Sequence, residues 1–327
     1  MLYAYKPIPG GLHPLHPVSG SLAEEAEAAV ALPAEAIWLD LHRPLDAQIA
    51  AVSALGVSVP SLDDMEEIEI SNRLFQQDGT DYMTVVVPGS DAQGNPTAGP
   101  VTFMLSPQRL ITVRHHAPRP FETYPTRAGR GAAGCSTPEH VFLGLVEEII
   151  GRQADVLESV GKALDGASRR TFGSQTAASP AELRATLQEV GQQGEILNRV
   201  RLAVMTLERA LAFFGTQKRD KPVETLVKAM TRDLAALAVH ADFLSNRVSL
   251  AVDAVLGLIN LAQNATARIM SIVATLFLPP TLVASAYGMN IEDMPMQHAV
   301  WGYPAVLGLM IASGLGTYLF FKWRRWL

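Results

Sequence analysis

Apolar and polar positions follow two different periods along the chain. Ala36-Ile37-Trp38-Leu39-Asp40-Leu41 is a short strand-like run. Residues 81–87 and 101–105 are β-rich, and 109–115 predicts a third strand of the same kind. The segment between the first two, residues 88–100, is full of Gly, Pro, Asn and Asp and predicts a hairpin connection. Residues 46–55 place Ala, Gln, Ile and Leu at helix spacing, with a stop at Gly56. Residues 118–138 are rich in Gly, Pro, Ala and Arg and read as a domain linker.

Beyond residue 138 the period becomes helical. Residues 141–165 carry apolar side chains at three- and four-residue steps. A second long helix is predicted over 180–214, with Ser179 as a possible cap and Gly215 at its end. A third pattern starts at Pro222 and meets no breaker before Pro279, far beyond an ordinary globular helix. It runs into a stretch of 23 residues, 269–291, without Asp, Glu, Lys or Arg. A second such stretch, 294–321, has 28 residues. At about 1.5 Å per residue each is long enough to cross a hydrocarbon core of roughly 30 Å. The pattern therefore predicts an α+β domain over 1–136, a helical and stalk region over 137–265, and a two-span membrane domain over 266–327.

Composition supports this division. The hydrophobic fraction is 48% and mean hydropathy is +0.16, while only 18% of residues are charged. Soluble domains carry roughly 25% charged residues. The net charge of −6 offers nothing to a nucleic-acid backbone. A single cysteine, Cys135, excludes an internal disulfide framework and a Cys-rich zinc site. Residues 1–20 lack the apolar core of a secretory signal. The loop 288–299 holds Glu292 and Asp293 and no Lys or Arg, whereas the tail holds Lys322, Arg324 and Arg325. The excess of positive charge places the tail, and with it the large N-terminal part, in the cytoplasm. Trp301, Tyr303, Trp323 and Trp326 stand where interfacial anchors are expected.

One face of the long third pattern is unusual. Steps of four and three from Asp253 reach Gly257, Asn260, Asn264, Ala267, Ser271, Ala274, Leu278 and Thr281. The neighbouring positions are Val, Leu and Ile. A small, polar seam within a membrane helix has two readings from spacing alone. It is a surface for tight helix packing, or it lines a water-filled lumen in a symmetric oligomer.

Tyr287-Gly288-Met289-Asn290 follows that seam, preceded by Leu278-Pro279-Pro280-Thr281-Leu282 and followed by Met294-Pro295, Trp301-Gly302-Tyr303-Pro304 and Tyr318-Leu319-Phe320-Phe321-Lys322. In order and spacing this resembles the CorA family of divalent-cation channels. Ile37-Trp38-Leu39-Asp40-Leu41, Pro60-Ser61-Leu62-Asp63-Asp64 and Ser71-Asn72-Arg73-Leu74-Phe75 extend the resemblance to the N-terminal part. The resemblance implies a homopentameric funnel. A cytoplasmic domain would lead through a stalk helix to a pore lined by the first span, with the second span outside. It implies that Gly288, Met289 and Asn290 form the outer pore mouth. Asp253, Asn260, Asn264, Met270, Ser271, Leu278 and Thr281 would line the pore. Glu292 and Asp293 would either concentrate cations at the mouth or be solvated loop charges. It also implies closure by intracellular Mg²⁺ bound between cytoplasmic domains. Acidic candidates for that role are Asp63, Asp64, Glu66, Glu67 and Glu69, with Asp233 and Asp242 on the stalk.

The chemistry suits such a site. Mg²⁺ holds its water shell tightly, and amide carbonyls can accept hydrogen bonds from coordinated waters without stripping them. The expected cargo is Mg²⁺, with Co²⁺ and Ni²⁺ as further ions and no bound cofactor. The expected partners are further copies of the chain, membrane lipid and divalent cations. Two departures stand out. Met296 occupies the position after Met294-Pro295 where the family commonly has Glu, and Ile269-Met270-Ser271 replaces a usual Leu-Thr. A zinc-preferring relative of the ZntB type is the alternative within transport, and a membrane-anchored scaffold the alternative outside it. No arrangement of Ser, His and Asp or of Cys and His suggests an enzyme. His115-His116 are adjacent on a predicted strand and would point to opposite faces. His13 and His16 are expected on a surface loop.

Overall fold

The computed structural model describes residues 1–15, 31–67, 69–172, 179–289 and 300–324. They form two compact units: residues 1–177 with 185–252, and residues 178–184 with 253–327.

The first unit is built on a seven-stranded sheet. Its strands are β1 (Leu2–Ile8), β2 (Gly11–Leu15), β3 (Trp38–His42), β4 (Leu74–Gln77), β5 (Thr80–Ser90), β6 (Pro96–Leu105) and β7 (Leu110–Arg114). Their order is β2-β1-β3-β7-β6-β5-β4. All pairs are antiparallel except β3 with β7, where Trp38 stands opposite Leu110. Short helices α1 (Asp46–Ser53), α2 (Leu62–Glu66) and α3 (Ile70–Arg73) follow β3. Alternation along the strands sorts side chains between two cores. Leu39, Leu41, Met104, Ile111 and Val113 face one side with Val52 of α1 and Met65 of α2. Trp38, Met83, Val85, Val87, Val101, Phe103 and Leu110 face the other.

That second face carries a buried polar chain. Trp38 Nε1 donates to Thr112 Oγ1 at 3.0 Å, and that hydroxyl donates to Asp40 Oδ1 at 2.8 Å. Arg114 grips the same carboxylate through Nε (3.1 Å) and Nη2 (2.9 Å), and its Nη1 donates to the His116 carbonyl. Its guanidinium lies 5.2 Å from the Phe121 ring centre. An ion pair this deep is tolerated because nearly every donor and acceptor in it is used.

Over this face lies α4 (Pro120–Arg127), followed by α5 (Pro138–Phe172), α6 (Pro180–Gly215) and α7 (Lys221–Tyr287). Residues 141–146 of α5 are buried on every side, and beyond them Ile149, Gln153, Leu157, Val160, Leu164 and Ala167 continue as a stripe at three- and four-residue steps. Phe142 packs on Phe214 at 5.0 Å, while Arg170 pairs with Glu189, so α5 and α6 run antiparallel. Gly161 lies near Leu244, and Arg247 pairs with Asp165, so α5 and α7 run parallel within this unit. Thr206 of α6 accepts the Val86 amide at 3.0 Å, which ties the helices to the sheet. The α6–α7 turn is tied down too. Arg219 pairs with Asp81 of β5 at 2.9 Å and with Glu139 of α5, and stacks 4.3 Å from the Phe214 ring.

Three sequence expectations change. The stretch 118–138 is not a free linker: it contains α4, whose Phe121 and Tyr124 are buried against Trp38 at 6.2 and 5.9 Å. The N-terminus is a hairpin, with β1 inside the sheet and β2 at its edge, so His13 lies exposed on a strand and not in a loop; His16 lies outside the described residues. An edge strand tolerates Pro14, which hid the strand pattern. The strands β5 and β6 reach well into the expected hairpin connection, with the turn confined to residues 91–95. Asp91 closes it, accepting the Gln93 and Asn95 amides at 2.8 Å. His115 and His116 fall just past β7, and His116 Nε2 contacts the Val87 carbonyl at 2.7 Å, a structural role.

Candidate ion pathway

In the second unit, the segment 253–287 of α7 is about 50 Å of uninterrupted helix. It carries one acid, Asp253, and one base, Arg268. Pro279 and Pro280 lie inside it. Each lacks an N–H, so the carbonyls of Thr275 and Leu276 lose their helical donors. Hydroxyls bond back along the same helix: Thr275 donates to the Ser271 carbonyl at 2.8 Å, and Thr281 to the carbonyls of Phe277 and Leu278. This is how Thr side chains satisfy themselves where water is absent.

The last element, α8 (Gly302–Trp323), presents Gly302, Ala305, Val306, Met310, Ser313, Gly314, Thr317 and Phe321 as its more covered positions. Most are small, and they recur at three- and four-residue steps, as in closely packed membrane helices. A Cβ added at Gly314 would sit 3.5 Å from the Pro280 ring. Pro280 belongs to a half-buried stripe on α7 with Ile272, Leu276, Pro279, Val283 and Tyr287. Successive residues turn by about 100° around a helix. On that count the seam Asp253, Gly257, Asn260, Asn264, Ala267, Ser271, Ala274, Leu278 and Thr281 lies roughly opposite the half-buried stripe. All nine seam residues are exposed. Met270 flanks the seam and is 69% exposed. So the sequence-derived pore residues share one face of α7, and that face is turned away from the stripe that holds Pro280.

At the end of α7, Gly288 donates its amide to the Ala284 carbonyl at 2.9 Å, and Met289 is exposed. Asn290, Glu292 and Asp293 lie outside the described residues. Both α7 and α8 contain windows long and apolar enough to cross a membrane, and almost none of those window residues is buried. A helix that is apolar all round needs a second apolar medium to cover it.

The acidic candidates are placed differently. Asp64 closes the capping box at the start of α2, whose N-cap is Ser61: the Ser61 hydroxyl and amide donate to it and hold its carboxyl below the usual carboxylate range. Glu67 accepts from Asn72, and Asp242 pairs with Arg201 at 3.0 Å. Asp63, Glu66, Glu69 and Asp233 are exposed. Among the described residues of a single chain, no group of three or more His, Cys, Asp or Glu is gathered to hold a metal.

The family model of the CorA-like Mg²⁺ transporter protein matches residues 33–324. The chain belongs to the CorA family. A magnesium transport protein CorA of Salmonella typhimurium is 34% identical over 307 residues, covering 93% of this chain and 95% of that protein. The complete structure of the CorA magnesium transporter from Methanocaldococcus jannaschii superposes with a TM-score of 0.73 at 15% identity, covering 100% and 99% of the two chains. The ZntB cytoplasmic domain from Vibrio parahaemolyticus shares the fold at a TM-score of 0.56 and 11% identity, covering 78% of this chain and 96% of that one. The α+β unit, the long helix and the C-terminal apolar helix expected from the sequence are thus those of a CorA protein.

Proposed function

We propose that this chain is the subunit of a homopentameric inner-membrane channel that admits hydrated Mg²⁺. The observation that carries the reading is the exposed seam from Asp253 to Thr281, which a mere anchor has no use for. Membership of a Mg²⁺-transporter family supports it, as does the relative named as a magnesium transport protein.

In this reading Asn290 forms the ring that meets the ion at the mouth, shaped by Gly288 and Met289. Its amide oxygen accepts hydrogen bonds from the ion's own waters, so the shell stays on and binding stays weak enough for release. Asn264 and Asn260 repeat that chemistry further along, Thr281 and Ser271 add hydroxyls, and Leu278 and Met270 narrow the path. Asp253 attracts the cation at the cytoplasmic end. Glu292 and Asp293 raise the cation concentration outside. Entry is driven by the membrane potential, about 4.6 kcal/mol for a divalent ion per 100 mV. Both termini face the cytoplasm. Closure at high internal Mg²⁺ is assigned to acids such as Asp63, Asp64, Glu66, Glu67, Asp233 and Asp242, which would have to meet ligands from a neighbouring copy. Co²⁺ and Ni²⁺ are further cargo.

The test is ion flux into liposomes holding the purified protein, with Mg²⁺, Co²⁺, Ni²⁺ and Zn²⁺ compared under an inside-negative potential and under a pH gradient. Potential-driven Mg²⁺ entry, suppressed by internal Mg²⁺, is the expected result. Zn²⁺ flux that follows the pH gradient, with little Mg²⁺ flux, would overturn it in favour of zinc transport. No flux of any ion would leave a membrane-anchored scaffold.

A further inference from the structure

A cavity of about 600 Å³ opens in the first unit between α4, the loop that follows it and α5. Its wall holds Arg119 and Arg127 from α4 and its cap, Arg130 from the loop, and Arg152 from α5. Facing them are Glu147, Glu148 and Asp155 of α5. Arg127 is spent on Glu148 at 2.9 Å, and that carboxylate also takes the Thr123 hydroxyl at 2.7 Å. The guanidinium groups of Arg119, Arg130 and Arg152 have no side-chain or backbone partner among the described residues. Three unpaired arginines thus face two unpaired carboxylates, Glu147 and Asp155, so the wall is net positive. That runs against the background of a chain with net charge −6.

The cavity is also shaped. Tyr124 lines it and reaches toward the Gly134 carbonyl at 3.5 Å. Gly144 gives that ring its place: a Cβ there would stand 2.3 Å from the phenol oxygen. Gly134 turns with φ +69°, a conformation that favours glycine. A volume of this size matches small-molecule sites of roughly 300–1,000 Å³.

We propose that this cavity binds a phosphate-bearing anion of nucleotide size. Each guanidinium offers five N–H donors in a planar fork that fits phosphate oxygens two at a time. A bare phosphate would leave the carboxylates of Glu147 and Asp155 facing it without donors. A nucleotide answers both signs, with phosphates toward the arginines and sugar hydroxyls or base amino groups toward the acids. Its occupancy would tie α4 to α5, and so join the layer over the sheet to the first long helix. The site stands apart from the ion pathway. Only the ligand's soluble source rests on the cytoplasmic placement proposed above, and the measurement is of binding, not flux.

The experiment titrates the full-length protein in nanodiscs with ATP, pyrophosphate and inorganic phosphate by calorimetry, in lipid with and without phosphatidylglycerol. The expected result is saturable binding of ATP, weaker binding of pyrophosphate, and affinity that falls with salt. Arg130→Ala and Arg152→Ala should each weaken ATP at least about tenfold, the worth of one charge-assisted contact. Gly151→Glu is the second variant. Nothing lies within 4 Å of a Cβ there, and a glycine inside a helix is replaced at no cost to it, so the fold should be kept while a carboxylate enters the wall. It should abolish binding while Mg²⁺ flux persists. ATP binding that depends on the same arginines in lipid without phosphatidylglycerol, and is competed away when phosphatidylglycerol is present, would support the phosphate site and give a lipid headgroup as its source. No saturable binding of any probe, or binding indifferent to all three substitutions, would overturn the proposal.

Discussion

The sheet-bearing unit and the unit that holds the end of α7 solve burial in opposite ways. In the first, Trp38, Leu39, Leu41, Phe103 and Leu110 are fully enclosed, and even the charged pair Asp40–Arg114 is almost wholly covered. In the second, Ile269, Met270, Phe277, Leu278 and Leu282 are each 60% exposed or more. The first unit completes its own core from its own chain. The second cannot, because two helices offer too few faces to cover one another. Its exposed apolar surface calls for an apolar medium, and its seam of small and polar residues for either water or another helix. Where a chain leaves such a surface open, the missing solvent or partner is part of its fold.

The sharpest way to break this contrast is Asn290→Ala. It should reduce Mg²⁺ flux in liposomes to background while oligomer size on gel filtration stays unchanged. Normal flux would remove Asn290 from the pore mouth. Next comes Asp40→Ala, which leaves Arg114 buried without its carboxylate. It should destabilise the sheet unit by about 3–5 kcal/mol, read as an early loss of the Trp38 near-ultraviolet signal on urea titration. A change below 1 kcal/mol, roughly that of an exposed pair, would show the network to be solvated.

Gly314→Leu tests the second unit. Gly314→Ala should be tolerated, since its Cβ would meet Pro280 at 3.5 Å. Leucine should cost about 1–3 kcal/mol by overpacking, seen as oligomer loss on heating in detergent; equal behaviour of the two variants would mean that α8 does not pack there. The smallest effect is the response to pH. Burial, and next the Arg114 charge, push His42 down from 6.5 to about 4. The unfolded chain therefore binds more protons than the folded one between those values. Stability of the sheet unit should be full above about 6.5 and fall as pH drops toward 4. His42→Gln should flatten that slope, and an unchanged slope would assign it to other groups such as His116, which burial also lowers.

Much of this was legible beforehand because the relevant physics is local or periodic. A strand buried on both faces is rich in β-branched, aromatic and other apolar residues, as 81–87 and 101–105 are. A membrane span must be long and uncharged, as 269–291 and 294–321 are. A stripe along one helix face must repeat at the helix period, and the small and polar positions from Asp253 to Thr281 do. The hairpin of β4 and β5 was equally available: Asp78 and Gly79 both take positive φ, 49° and 75°, the pair such a turn favours. The misread segment 118–138 had the composition of a linker, and its arginines are the signal that could have drawn attention to the cavity.

The sequence alone determined the three long helices, the two long apolar stretches and the small, polar face of α7, since each depends on residue spacing within one element. Only the tertiary structure decided that α4 closes over Trp38, that Asp40 and Arg114 meet across a parallel strand pair 74 residues apart in sequence, and that arginines from α4, the loop and α5 surround one cavity. Those depend on which distant segments pack together. That choice is made by the sum of many weak contacts over the whole core, and no single stretch of chain carries it.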